Sequence, residues 1–188
     1  MQFVLASASP RRKSLMQILL GHFECAVPCI DETLKSSECP QEYVLRLAEE
    51  KARVCWKEKL VVFGADTSVV LDCKILGKPQ DKEQAKKHLE SLSGRTHEVH
   101  TGIAIWDGRV LSTRHVRTEV DFVDLTSAMI ERYLETGEIW GKAGGYAIQG
   151  YAGSFVRAIR GSYSSVVGLP LCETRELLMS MGLIPVDG

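Results

Sequence analysis

The sequence predicts an α/β fold in which a mixed, strongly twisted sheet is flanked by helices. Two observations indicate this fold class. Helical and strand patterns alternate from the N-terminus, and a long hairpin, turned at Asp107-Gly108, occupies the middle of the chain. With 188 residues, the chain is expected to form one domain, either undivided or in two lobes with a cleft between them.

The first strand and helix follow from the N-terminal residues. An apolar strand is expected at residues 2–6, and Ser9 and Pro10 are typical of a helix cap and a first helical position. Three apolar residues at helical spacing predict the buried face of this helix: Leu15, Ile18 and Leu19.

A longer helix is predicted from about Pro40. Tyr43 and Leu47 are expected to face inward, and the charged side chains at residues 49–53, including Lys51, mostly outward. The following elements are expected in order: apolar strands at 60–63 and 68–71 joined by a GADT turn, a helix capped by Asp81, the two strands of the hairpin, a helix at 126–136, a glycine-rich loop at 142–153, a strand at 155–159, and a last helix from Pro170 to about 181.

Composition excludes several classes of function. A net charge of −1 argues against adsorption to nucleic-acid polymers or to membranes through net charge. No apolar stretch approaches the length of a membrane span, and no secretion signal is recognisable, so we expect a cytoplasmic protein. The six cysteines form no C-x-x-C pair, which favours scattered reduced thiols over a zinc site.

Cations and hydroxyls collect where the first strand meets the first helix. Ser7, Arg11 and Arg12 lie at or just before a helix N-terminus, whose free N–H groups attract anions. Guanidinium groups grip phosphate oxygens through two parallel hydrogen bonds, so an anion clamp is one interpretation. A capped helix with solvated charges is the other, and local sequence alone does not choose between them.

Carboxylates and lysines form the next candidates. Glu32 follows a short strand predicted at residues 23–29, and Asp66 lies in the GADT segment, where a carboxylate could hold a divalent metal or act as a general base. An ordinary turn aspartate is the alternative for Asp66. Lys51 and Lys78 are each more typical of a surface lysine when considered alone.

The glycine-rich segment KAGGYAIQG, residues 142–150, adds a possible base-recognition element. Its glycines would let backbone approach a ligand closely, and the Gln149 amide offers both a donor and an acceptor. Together with the clamp, the carboxylates and the lysines, this pattern fits a nucleoside triphosphate with a magnesium-like ion. Walker A and G-x-G-x-x-G motifs are absent from the sequence, which argues against a kinase or a dinucleotide oxidoreductase.

Eight blocks of the sequence, in order, resemble the Maf family of nucleotide pyrophosphatases. They run from residue 4 to about residue 171: LASASPRRKSLM, IDE, RLAEEKA, GADTSVVLD, LGKP, LSGRTHEVHTG, KAGGYAIQG and GSYSSVVGLPL. The YAIQG block is similar to the branch that acts on dTTP and UTP, rather than to the branch that acts on 7-methyl-GTP.

The resemblance implies one Maf/ITPase-like domain over residues 1–188 and a house-cleaning role in nucleotide metabolism. It implies hydrolysis between the α and β phosphates, a divalent metal such as Mg, Mn or Co, a cytoplasmic location and a homodimer. By motif position it implies that Glu32, Lys51, Asp66 and Lys78 are catalytic, with Glu32 and Asp66 as metal ligands and Asp66 as proton acceptor. The resemblance also assigns substrate binding and specificity to a further set: Ser7, Arg11, Arg12, Thr67 and Gln149.

Two departures from the family pattern bear on base preference and rate. Gly141 stands before KAG, where the family often has Asp, and Ala147 stands where it has Gly. Two other functions stay open at this point. One is a pyrophosphatase for 7-methyl-GTP or another modified nucleotide, and the other is a nucleotide-binding regulator of cell division.

Overall fold

The chain folds into seven strands, six α-helices and two short 3₁₀ turns over residues 2–185, the part of the chain that this computed structural model describes. The strands are β1 (Gln2–Ala6), β2 (Glu24–Ala26), β3 (Leu60–Leu71), β4 (Lys74–Leu76), β5 (Thr96–Trp106), β6 (Leu111–Phe122) and β7 (Val156–Arg160). The helices are α1 (Pro10–Leu19), α2 (Pro40–Val54), α3 (Lys82–Leu92), α4 (Ser127–Glu135), α5 (Tyr163–Val167) and α6 (Leu171–Ser180). The 3₁₀ turns are Ala143–Gly145 and Tyr151–Phe155.

The strands form one mixed sheet in the order β2-β1-β3-β5-β6-β7, with β4 paired to β3. Strand β1 pairs in parallel with both β2 and β3, whereas the β3–β4 and β6–β7 pairs are antiparallel. The predicted fold class, a mixed sheet with helices, is confirmed. None of the described helices is long and apolar enough to cross a membrane.

The chain divides into two compact units, and strands β3, β5 and β6 contribute residues to both. The first unit comprises the described residues up to Asp66, then Thr101–Val116, then the described residues from Gly168 onward. The second unit comprises Thr67–His100 and Arg117–Val167.

In the first unit, α2 lies directly against strand β3. A Cβ atom added to Gly64 would overlap the carbonyl oxygen of Ala48, so only glycine permits this approach. Residues 60–71 form one uninterrupted strand, so the turn predicted at GADT was wrong. The small residues allow a helix to pack closely, and they place Asp66 within the strand.

The buried face of α1 differs from the predicted one. Leu15 and Met16 are buried, but Ile18 is 69% exposed. The prediction at Ile18 was wrong because the helix buries a different stripe, Leu15 and Met16, which continues into the buried Leu20 at its C-terminal end.

The second unit has its own core, built where α3 and α4 meet strand residues of β3, β5 and β6. Tyr133 of α4, Phe122 of β6 and Phe155 are all nearly or completely buried in it. Short helix α5 was not predicted, and β2 is shorter than the strand expected at residues 23–29.

Candidate active site

The first candidate residues lie where β1 ends and α1 begins. Ser7 is buried, and its hydroxyl accepts a hydrogen bond from the Ser9 amide at 3.1 Å. The Ser9 hydroxyl in turn accepts from the Arg12 amide at 3.4 Å, which caps the helix as predicted. This chain of contacts fixes the first turn of α1 and therefore the bases of the Arg11 and Arg12 side chains.

A hydrogen bond and several neighbouring charges act on the Arg12 guanidinium. Its Nε donates to the carbonyl oxygen of Gly168 at 2.8 Å. Burial lowers the pKa of Arg12, while the nearby carboxylates of Asp66 and Glu32 act in the opposite direction and Arg11 adds a further lowering. The structure therefore places Asp66, Glu32 and Arg11 of the first unit within electrostatic range of Arg12.

Lys51 lies between the two predicted metal-binding carboxylates. Its Nζ is 2.7 Å from Glu32 Oε1 and 2.6 Å from Asp66 Oδ1. Only 6% of the Lys51 side chain is exposed, so its expected outward orientation on α2 was wrong. The helix turns this residue inward because two carboxylates there compensate the buried ammonium.

The loop that carries Glu32 is fastened to α2 by residues that the sequence analysis did not assign to the site. The Tyr43 hydroxyl donates to the Glu32 carbonyl oxygen at 2.8 Å, and burial, with Asp66 and Glu32 nearby, raises the pKa of Tyr43 to about 12. Arg46 Nε donates to Glu38 Oε1 at 2.6 Å, and Arg46 Nη2 donates to the Thr33 carbonyl oxygen at 3.1 Å. In the sequence, the only indication of the role of Tyr43 was that it was predicted to face inward while carrying a polar hydroxyl.

The pair of carboxylates fits a hard divalent cation that arrives with its own oxygen ligands. Magnesium is usually bound by one or two carboxylates, with water and substrate phosphate oxygens completing its shell. Within residues 2–185, no group of three or more His, Cys, Asp or Glu side chains could hold a metal. Glu32 and Asp66 supply the two carboxylates that such a cation could use when phosphate oxygens complete its shell.

The remaining candidates belong to the second unit. Thr67 is half-buried on β3, immediately after Asp66, while Lys78 and Gln149 are exposed. The segment of Lys78 is tied to the glycine-rich segment, because the Gly144 amide donates to the Gly77 carbonyl oxygen at 3.1 Å. Lys78 and the KAGGYAIQG segment are thus neighbours in this unit.

The two departures from the family pattern are both tolerated by the backbone. Gly141 has a φ of +68°, a left-handed conformation that glycine adopts without strain. Ala147 uses its amide to donate to the Tyr133 hydroxyl at 3.3 Å, a bond that its methyl group does not prevent.

Comparison with known proteins identifies the relatives of this chain. A family model described as Maf-like protein matches residues 2–181. A dTTP/UTP pyrophosphatase of Shewanella frigidimarina is 50% identical, over 96% of this chain and 98% of its own. A dTTP/UTP pyrophosphatase of Pseudoalteromonas atlantica is 46% identical, over 96% of this chain and 97% of its own.

Among solved structures, a HAM1 protein from Coxiella burnetii overlays with a TM-score of 0.45 at 23% identity, covering 65% of this chain and 73% of that one. The family assignment rests on the family model and on the two relatives above. The resemblance found in the eight sequence blocks is confirmed, and this chain belongs to the family of Maf-like proteins.

Proposed function

We propose that this chain is a nucleoside triphosphate pyrophosphatase that hydrolyses dTTP and UTP to the monophosphate and pyrophosphate. The observation that carries the proposal is the buried Lys51 ammonium between the carboxylates of Glu32 and Asp66, with the Arg12 guanidinium in electrostatic range of both. The relatives at 46% and 50% identity bear that activity in their names.

Asp66 is the proton acceptor in this proposal. It takes a proton from the water whose oxygen attacks the α-phosphorus, and the bond between that phosphorus and the α–β bridging oxygen breaks. Lys51 holds the Asp66 carboxylate in place through the 2.6 Å contact. Arg11, Arg12 and Lys78 bind the phosphate oxygens and the charge that builds up on the departing pyrophosphate.

Glu32 and Asp66 would hold the divalent metal, Mg, Mn or Co. When bound, such a cation offsets the charge of the triphosphate. Ser7 supports the arginine-bearing turn of α1, and Thr67 follows Asp66 directly on β3. These two residues are proposed to bind substrate beside the reacting phosphate.

Gln149 is proposed to select the base. Uracil and thymine present an N–H between two carbonyl groups, and one primary amide can accept from that N–H and donate to a carbonyl. Cytosine has an unprotonated N3, so it leaves the amide without its match. Discrimination of this kind can reach about 10⁴-fold when the bound base covers the amide, because the wrong base then leaves buried polar groups unpaired.

The proposal is tested with a panel of dTTP, UTP, CTP, GTP and 7-methyl-GTP, each with Mg, Mn and Co. We expect dTTP and UTP to give monophosphate plus pyrophosphate, and the other nucleotides to react poorly. Diphosphate plus phosphate as products would contradict the reaction. A preference for 7-methyl-GTP would indicate the modified-nucleotide alternative, and tight binding without turnover would indicate a cell-division regulator.

The base-recognition role is tested separately with Gln149→Glu. This variant keeps an acceptor and loses the donor. The loss of dTTP cleavage should therefore exceed any loss that destabilisation of the fold would cause. An unchanged nucleotide profile would refute the role of Gln149. The resemblance also supports a single cytoplasmic domain that forms a homodimer. Sedimentation of the purified protein would measure its oligomeric state.

A further inference from the structure

The segment that carries Gln149 is held on both sides of that residue by side chains from α4 and the turn after it. On the N-terminal side, the Ala147 amide donates to the Tyr133 hydroxyl at 3.3 Å. On the C-terminal side, the Tyr151 amide donates to the Glu138 carboxylate, at 3.0 Å to Oε2 and 3.3 Å to Oε1. Gln149 itself is exposed between these two fixed points.

The Tyr133 anchor cannot move easily. Its side chain is completely buried, and its ring packs at 5.5 Å between centroids against Phe155 and at 6.2 Å against Tyr151. A hydroxyl on a ring confined in this way has a fixed position, and it fixes the amide bound to it.

The Glu138 anchor is half-buried and lies against the segment itself. A Cβ atom on Gly150 would overlap the Glu138 carboxylate, so the segment lies directly on that side chain. The turn between the anchors is closed by its own backbone, with the Gly150 amide donating to the Ala147 carbonyl oxygen at 3.0 Å. A short, closed turn held at both ends leaves Gln149 little freedom of backbone position.

We propose that Tyr133 and Glu138 are positioning residues that set base selectivity by fixing the turn that presents Gln149. This inference rests on the proposed function, because it needs Gln149 to contact the base. An amide that must both donate and accept tolerates little displacement, and misplacement by about 1 Å can cost on the order of 10²-fold in rate.

The test measures kcat and KM for dTTP and CTP in wild type, Tyr133→Phe, Glu138→Ala and Glu138→Gln. Tyr133→Phe keeps the packed ring and removes only the hydroxyl, whereas Glu138→Ala removes the acceptor and Glu138→Gln keeps one. We expect the preference for dTTP over CTP to fall by about tenfold or more in Tyr133→Phe and in Glu138→Ala. The loss should appear mainly as a raised KM for dTTP, and Glu138→Gln should retain most of the preference.

Two control variants remove comparable groups elsewhere. Glu131→Gln breaks an exposed ion pair of the same helix α4, between Glu131 and Lys86, and Tyr163→Phe removes an exposed hydroxyl. Both should keep the wild-type preference. If Glu138→Ala fails to fold by circular dichroism, Tyr133→Phe decides the question.

The outcomes separate this inference from the function on which it rests. A wild-type protein that does not cleave dTTP would refute the proposed function and the inference together. A wild-type protein that prefers dTTP and depends on Gln149, while folded Tyr133→Phe keeps that preference unchanged, would refute the positioning role alone.

Discussion

At the scale of single residues, Lys51 and Asp66 show how buried charges are compensated in the candidate site. One buried ammonium contacts two carboxylates, so neither Lys51 nor Asp66, whose side chain is 11% exposed, lies in the interior without a partner of opposite charge. Removing one member of such a group leaves the others incompletely compensated. Glu32 limits that effect when Asp66 is altered, because it still contacts Lys51.

We expect Asp66→Asn to reduce turnover by about 10²- to 10⁴-fold, the usual cost of losing a general base. Asparagine has nearly the same size, and Lys51 keeps its contact with Glu32, so circular dichroism should not change. Asp72→Asn is the matched control, because Asp72 is an exposed aspartate just after the same strand, paired with Arg95. Activity of folded Asp66→Asn within about threefold of wild type would remove Asp66 from the proposed role.

We expect Arg11→Ala and Arg12→Ala to lower kcat/KM for triphosphates, and Arg12→Lys to restore little. A lysine has no Nε donor, so it cannot keep the 2.8 Å bond to the Gly168 carbonyl oxygen while presenting a planar fork to phosphate. Steady-state kinetics with dTTP measures the effect, with exposed Lys13→Ala as control. Both alanine variants at wild-type kcat/KM would mean that these arginines are solvated charges.

At the scale of elements, the contact between α2 and β3 aligns two residues of the candidate site. Helix α2 carries Lys51 and strand β3 carries Asp66, and the missing side chain of Gly64 sets how closely the two elements approach. Their packing therefore determines both the stability of the first unit and the 2.6 Å ion pair.

Gly64→Ala should destabilise the protein by about 1–3 kcal/mol, because its methyl group would overlap backbone that cannot yield locally. Urea unfolding would measure this loss. Gly21→Ala is the control, since nothing lies within 4 Å of the added Cβ, and it should change stability by no more than about 0.5 kcal/mol. Equal stabilities of the two variants would show that the α2–β3 contact yields without cost.

The sequence predicted most elements but not their contacts. The cap at Ser9, the hairpin at Asp107 and the helix beginning at Pro40 depend on local chemistry, and the structure has all three. The GADT segment was predicted as a turn, because glycine, alanine and aspartate favour turns when no neighbouring element is known. Its actual role depends on a helix that is distant in sequence, and no local pattern reveals such a contact.

The same limit applies to the candidate site. Lys51 was a candidate from the sequence, but its position on α2 predicted an exposed side chain, and only the motif resemblance gave it a catalytic role. Tyr43, Tyr133 and Glu138 could not be found from spacing, because each acts through a hydrogen bond to backbone of another segment. Side chains that hold loops are visible only once the loop has a position.

At the scale of the whole molecule, a buried histidine links the free energy of unfolding to pH. His97 is 1% exposed; its Nε2 is 2.7 Å from the Tyr146 hydroxyl, and its ring packs against Phe122. Its Nδ1 is buried without a hydrogen-bond partner within the described residues. A charged imidazolium would need an acceptor there, so the fold favours the neutral ring.

Burial lowers the pKa of His97 to about 4, with Asp121 acting weakly in the opposite direction. The unfolded chain, with an ordinary histidine pKa of about 6.5, therefore binds more protons between those two values. Stability from this group is complete above about pH 6.5 and is lost as pH falls toward about 4, by roughly 3 kcal/mol in total. Burial also lowers the pKa of His88, which adds a smaller loss in the same direction.

We expect His97→Gln to flatten the dependence of unfolding free energy on pH between about 5 and 7, where most carboxylates do not titrate. Glutamine can keep the bond to the Tyr146 hydroxyl but carries no proton equilibrium, so the slope should fall to a smaller value that includes the part due to His88. Urea unfolding at several pH values measures that slope for wild type, His97→Gln and the exposed control His22→Gln. A wild-type slope in folded His97→Gln would mean that another group links unfolding to pH.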